Sequence, residues 1–355
     1  MTDKVFYNHL HFFRGFSILL IVAAHCWSMP IFMLNESQLP EHLHPLFSSI
    51  ETLFHGSTVY FAMISGILFS LVLKGKTYKS FMATKFKNVY VPFIIISLIY
   101  ASIWIAMGMV NPPPELSMWQ LIAGFSFFLL TGHMSGHLWY IPVIMILFAL
   151  TPILNRAVES KQRVWFILLL LLPLVVSRVW PNFHPGTVVY FIGPYMLGLY
   201  IGNNVEEINE WISERFSLLL SIFVIFTAIY FMLIINDIKY VDWGSYSVNS
   251  QETVTYILRM SVALLMLKLF YDRVSTVPKV IDLLARYSFA VYFIHVAFIM
   301  LMIGLAKQFD MVPETAFAMF MFGLLTLIVS VSMSIVVSWL IKQLTGRYSR
   351  LFIGA

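Results

Sequence analysis

Charge is what this sequence has least of. Only 11% of its 355 residues are Asp, Glu, Lys or Arg, against 60% hydrophobic, and the mean hydropathy is +0.84. A soluble globular chain carries about 25% charged residues, so the composition excludes that class and indicates a protein that lives in a bilayer. Cysteine is equally scarce. Cys26 stands alone, which excludes an internal disulfide and any cysteine-rich metal site. His9/His11, His42/His44 and His133/His137 are close pairs, but none has the acidic partner of a helical zinc motif, so no metal is expected. Phosphate-loop, nucleophile-elbow and dinucleotide-binding motifs are missing, and nothing supports a nucleic-acid role. A cleavable signal peptide is not expected either. Lys4 is the one basic residue ahead of the first apolar run, and no small-residue cleavage site follows that run.

What is present is a series of apolar runs of spanning length, or nearly so. They fall at about 12–29, 55–73, 90–109, 138–154, 164–178, 187–203, 217–235, 253–271, 287–306 and 316–341. The chain therefore reads as an all-α integral membrane protein, one polytopic domain over residues 1–355 with about ten transmembrane helices. A further stretch, 119–131, falls short of the ~17–25 residues a spanning helix needs. If it does not cross, both termini face the cytoplasm, and the inside segments hold 16 Lys and Arg against 3 outside. If it crosses, the counts are 9 against 10. The positive-inside rule favours the first arrangement, with 119–131 re-entrant or interfacial.

Three outer segments are long: 30–54, 111–136 and 236–251. They hold or border Glu36, Glu41, Glu51, Glu115, Asp237, Asp242 and Glu252, together with Trp119, Tyr240, Trp243 and Tyr246. Acidic groups beside aromatic rings suit a sugar; anchoring at the membrane interface accounts for the same rings.

Polar groups inside the apolar runs are the candidates for function, because each costs at least ~2.5 kcal/mol near the bilayer centre. The first run carries Arg14 and, eleven residues on, His25. Eleven steps of ~100° make about three turns, so both side chains share one stripe roughly 16 Å long. Ser65-Gly66 lies in the second run, where close helix packing is the plain explanation. Lys74, Lys76, Lys79, Lys85 and Lys87 precede Pro92 at the cytoplasmic end of the third run. They serve either as membrane anchors or as docking charges for a phosphate. His137 and Trp139 open the fourth run from outside. Ser288, Tyr292 and His295 fall at i, i+4 and i+7 of a later run, one helical stripe. Arg259 and Lys268, about 180° apart on one helix, do not share a face.

Taken together, these blocks resemble the integral-membrane acyltransferase family 3, bacterial inner-membrane proteins that acylate cell-surface glycans. The resemblance rests on Arg14-Gly15 leading to His25; Phe61 to Ser65-Gly66; Lys85-Phe86-Lys87 before Pro92; and His137-Leu138-Trp139-Tyr140 running to Thr151-Pro152. Phe191 to Leu197-Gly198 and Ser288 to Tyr292 and His295 complete it. It covers essentially the whole chain and is closest in kind to stand-alone members that modify exopolysaccharide, O-acetyl- and O-succinyltransferases among them. Two departures stand out. The basic cytoplasmic block is all lysine where the family favours arginine, whose fork grips phosphate in two bonds. The glutamate that often follows the tryptophan of the fourth run is replaced by apolar residues, Ile141 to Leu147.

The resemblance implies a cytoplasmic acyl-CoA donor, acetyl-CoA first, and a glycan hydroxyl as acceptor, supplied in concert with polysaccharide synthesis or export proteins. It implies Arg14 and His25 as catalytic residues. Lys85, Lys87, Ser65 and Gly66 would bind the donor, and His137, Trp139, Ser288, Tyr292 and His295 would support the acceptor side. His25 would serve as general base or as a covalent acyl relay. The alternatives are a transporter or flippase of glycan intermediates or acyl groups, whose path the same in-span charges would line, and a structural partner of a polysaccharide synthase.

Overall fold

An apolar run in a bilayer can satisfy its backbone only as a helix or in a closed barrel, and helices are what this chain forms. The computed structural model describes residues 2–72, 77–106, 117–160, 162–178, 183–243 and 246–354. Lys74, Lys76 and Glu115, and the side chains of Lys4, Trp243 and Tyr246, lie outside the described residues. The helices are α1 (Thr2–Leu34), α2 (His44–Phe54), α3 (Thr58–Val72), α4 (Tyr78–Lys85), α5 (Val91–Ala106), α6 (Met118–Thr131), α7 (Tyr140–Glu159) and α8 (Val164–Leu171). They continue as α9 (Pro185–Asn203), α10 (Val205–Glu214), α11 (Phe216–Ile235), α12 (Ser250–Arg273), α13 (Lys279–Arg286), α14 (Ser288–Gln308), α15 (Ala316–Thr345) and α16 (Ser349–Ile353).

Among the described residues, eight helical stretches are long and apolar enough to cross a membrane, which makes the chain an all-α integral membrane protein. The other two expected spans take different forms. Residues 164–178 give α8 and a 3₁₀ turn over Leu172–Leu174, with Pro173 at the break. Helix α9 has 19 residues, but they include glycine, proline and tyrosine. Most of its side chains are buried among other helices, so it needs no continuous apolar surface. The 119–131 stretch is helix α6, 14 residues with a Ser117–Gln120 capping box at its start and left-handed Gly132 at its end. Capped at both ends, it is roughly 21 Å long, and Trp119, Phe127 and Phe128 are exposed on it. One outer segment also holds structure that hydropathy does not reveal: Tyr240–Trp243 pairs antiparallel with Tyr246–Asn249 as a hairpin.

Helix α1 is the axis of the bundle, packing on α2, α3, α12, α13, α14 and α15. Two close approaches set the surrounding geometry. Helices α3 and α9 touch backbone to backbone: a Cβ on Gly66 would lie 2.3 Å from the Tyr195 carbonyl oxygen, and one on Gly198 2.1 Å from that of Met63. In a bilayer, where apolar side chains gain little by leaving lipid, such small-residue contacts let helices associate. Helix α7 is interrupted by Pro152, whose missing N–H leaves the Phe148 carbonyl without its helical donor. The Tyr78 hydroxyl fills that gap, donating to Phe148 at 3.1 Å and to Ala149 at 3.0 Å, and so fastens α4 against α7.

The α3–α9 contact yields a direct test. Gly198→Ala should destabilise the protein by about 1–3 kcal/mol through overpacking, read as a lower melting temperature in detergent. Gly124→Ala on α6, where an added Cβ meets nothing within 4 Å, should leave the melting temperature unchanged.

Candidate active site

Gly15 explains how Arg14 is held. A Cβ at position 15 would sit 2.5 Å from the Ile281 carbonyl oxygen, so only glycine lets α13 back directly onto α1. That approach brings the Ala285 carbonyl within 2.6 Å of Arg14 Nη2, which donates to it. The same contact is fastened by His11, whose Nε2 lies 2.9 Å from an Asp282 carboxylate oxygen, and by Arg286 on the other oxygen at 2.7 Å. Burial alone would raise the Asp282 pKa; the hydrogen bonds from Arg286 and His11 outweigh it and hold the carboxyl below its ordinary value.

Arg14 is left with capacity to bind. Its Nε is buried and has no hydrogen-bond partner among the described residues. Lys85, carried by α4, lies close enough to feel the Arg14 charge. Its ammonium rests 5.3 and 5.0 Å from the ring centroids of Phe81 and Phe148. No carboxylate pairs with either cation among the described residues. A cation left without a carboxylate keeps its capacity to pair with an anion. Lys87 is exposed on the π-helical turn Phe86–Tyr90. Gly66 is occupied by the α3–α9 contact, with half-buried Ser65 beside it, and Ser288 is buried in the first turn of α14.

Farther along α1, three histidines converge. His25 Nδ1 lies 3.2 Å from His295 Nε2 on α14, and the His295 and His137 rings meet edge to face at 5.1 Å. His295 is fully buried; its Nδ1 lies 2.9 Å from the carbonyls of both Val291 and Tyr292. His137 is held between the Ser135 hydroxyl at 2.9 Å and the Phe293 carbonyl at 3.4 Å, and the Tyr292 hydroxyl donates to its main-chain oxygen. Trp139 packs against Phe191 with ring centroids 5.5 Å apart.

His25, His137, Trp139 and Tyr292 all reach a cavity of about 1010 Å³. Its opposite wall was only partly legible in sequence. Glu51, Asp237, Tyr240 and Glu252, singled out as outer acidic and aromatic groups, line it; Glu36, Glu41, Asp242 and Trp119 do not. Two further members escaped notice, His55 and Arg178. Arg178 grips Glu252 with two bonds of 2.7 and 2.9 Å, and its Nη2 also donates to His55 Nε2. His55 Nδ1 in turn sits 2.8 Å from Glu51. Arg259, one of the in-span charges that the transporter alternative sets along a path, donates to the His55 and Thr52 carbonyls and so clamps the turn that presents His55. A Glu51–His55 pair at i, i+4 was the available signal; the 74-residue separation of Arg178 from Glu252 gave none.

Arg178 is only 8% exposed. The Glu252 carboxylate, itself largely buried, balances its charge. Removing one partner of such a pair strands a buried charge, so Arg178→Ala should cost about 3–5 kcal/mol, whereas replacing both residues by leucine should recover much of that. Melting temperatures of the single and double variants check this.

No curated protein and no solved structure matches the chain. The family model Acyl_transf_3, described as an acyltransferase domain, matches residues 7–342, a span that takes in Arg14, Lys85, all three histidines and the whole cavity wall. The chain belongs to acyltransferase family 3 and is a membrane acyltransferase.

Proposed function

We propose that the protein moves an acyl group, acetyl first among candidates, from cytoplasmic acyl-CoA to a hydroxyl of a cell-surface polysaccharide at the bacterial inner membrane. One observation carries the reading: α1 bears, on one stripe, a guanidinium with a buried unpartnered Nε and an imidazole open to a large cavity. With both termini in the cytoplasm, Arg14 and Lys85 would receive the coenzyme's phosphates. The pantetheine arm would run along the roughly 16 Å of helix to His25. The cavity on the other side, walled by Glu51, Glu252, Tyr240 and Trp139, would receive the sugar, and polysaccharide synthesis or export proteins would supply it.

In the transfer, His25 takes the proton of the acceptor hydroxyl as that oxygen attacks the thioester carbonyl. The carbon–sulfur bond breaks, and the departing thiolate recovers the proton from His25. A covalent variant, in which His25 first accepts the acyl group itself, uses the same ring nitrogen.

Two measurements test this reading. Mass analysis of the surface polysaccharide, with and without the protein, should show the loss of one acyl mass per modified residue; an unchanged polymer would contradict it. In purified protein, His25→Ala should lower CoA release by about 10²–10⁴-fold. Arg14→Ala should chiefly raise KM for the acyl-CoA, by roughly ten- to a hundredfold, as expected for a lost hydrogen bond to a charged group.

A further inference from the structure

The hydrogen bonds around the histidines fix where their protons lie. A carbonyl oxygen only accepts, so the two carbonyls on His295 Nδ1, Val291 and Tyr292, place a proton on that nitrogen. A second proton would make His295 a cation, fully buried and with no carboxylate against it among the described residues, an arrangement of high cost. His295 is therefore neutral, and its Nε2 presents a lone pair. That lone pair faces His25 Nδ1 at 3.2 Å, so Nδ1 of His25 carries the hydrogen and donates it. The proton-free nitrogen of His25 is then Nε2. His137 is fixed in the opposite sense: its Nε2 donates to the Phe293 carbonyl, and its Nδ1 accepts from Ser135. Neither of its nitrogens is left as a base.

We propose that His295 is the positioning residue that selects the reactive tautomer of His25, its Nε2 lone pair holding the hydrogen on Nδ1 so that Nε2 is free for the acceptor hydroxyl. The inference rests on the reading of His25 as base or acyl relay and serves both forms of it. Three elements converge to build the device. Helix α1 supplies His25, and α14 bends its own carbonyls onto His295. The segment before α7 supplies His137, which holds the Phe293 carbonyl from the outer side. The relation is that of an orienting group to a catalytic histidine in a hydrolytic triad, with a neutral imidazole in place of a carboxylate.

Asn and Gln at position 295 separate this role from a structural one. An asparagine amide reaches the position of Nδ1 and can still donate to the Val291 and Tyr292 carbonyls, but it places no acceptor beside His25. A glutamine amide oxygen reaches the position of Nε2 and restores that acceptor. The assay is CoA release from acetyl-CoA by the full-length protein in detergent, with surface polysaccharide isolated from cells lacking the protein as acceptor. His295→Asn is expected to lower kcat by about a hundredfold with KM for acetyl-CoA unchanged, and His295→Gln to stay within about tenfold of wild type. An Asn variant as active as wild type, or Asn and Gln variants equally impaired, would overturn the inference. So would a shared collapse of melting temperature in both variants, which would make His295 purely structural. Full activity in His25→Ala would instead remove the underlying reading of His25, whatever the two position-295 variants do.

Discussion

Every polar group inside an apolar bundle must find a partner within the protein, because lipid offers none. That constraint organises the whole molecule. Tyr78 exists where it does because Pro152 leaves a carbonyl bare. Arg259 spends its guanidinium on the carbonyls of Thr52 and His55. Arg178 and Glu252 neutralise one another, and His295 answers two carbonyls of its own helix while meeting His25 with its other nitrogen. Several buried polar atoms have no partner among the described residues, and Arg14 Nε is the one that belongs to a cation. No carboxylate pairs with Arg14 or with Lys85 among the described residues.

Helix α1 converts that asymmetry into a path. Gly15 allows α13 to press against it and hold Arg14, and α14 packs along it to place His295 against His25. Arg14 and His25 thus sit in different surroundings. Arg14, near α4 and α13, has no carboxylate on it among the described residues; His25 stands at the edge of a cavity whose far wall carries the Arg178–Glu252 pair together with Asp237 and Lys239. Arg178, committed to Glu252 and His55, is not a free guanidinium in that wall.

Much of this was legible in the sequence, for physical reasons. The stripe from Arg14 to His25 follows from helical geometry alone, and membrane class follows from hydropathy. The shared face of Tyr292 and His295 was also readable, and both reach the histidine cluster. Contacts that depend on tertiary approach were not readable. The reason for Gly15 lies in α13, some 270 residues away, and the partner of Arg178 lies in α12. For Ser65-Gly66 close packing was the plain reading and donor binding what the resemblance implied; Gly66 lies in the α3–α9 contact. The hairpin after α11 escaped because strands of four residues leave no periodicity to detect.

In the proposed function, α1 joins a donor site on one side of the membrane to an acceptor site on the other. Sealed vesicles of known orientation test it most directly. Labelled acetyl-CoA, which does not cross the bilayer, is supplied only to the face that bears Arg14, with polysaccharide acceptor only on the opposite face. The account predicts label on the polysaccharide, and none when the two substrates exchange sides. Transfer that requires both substrates on the same face would contradict it.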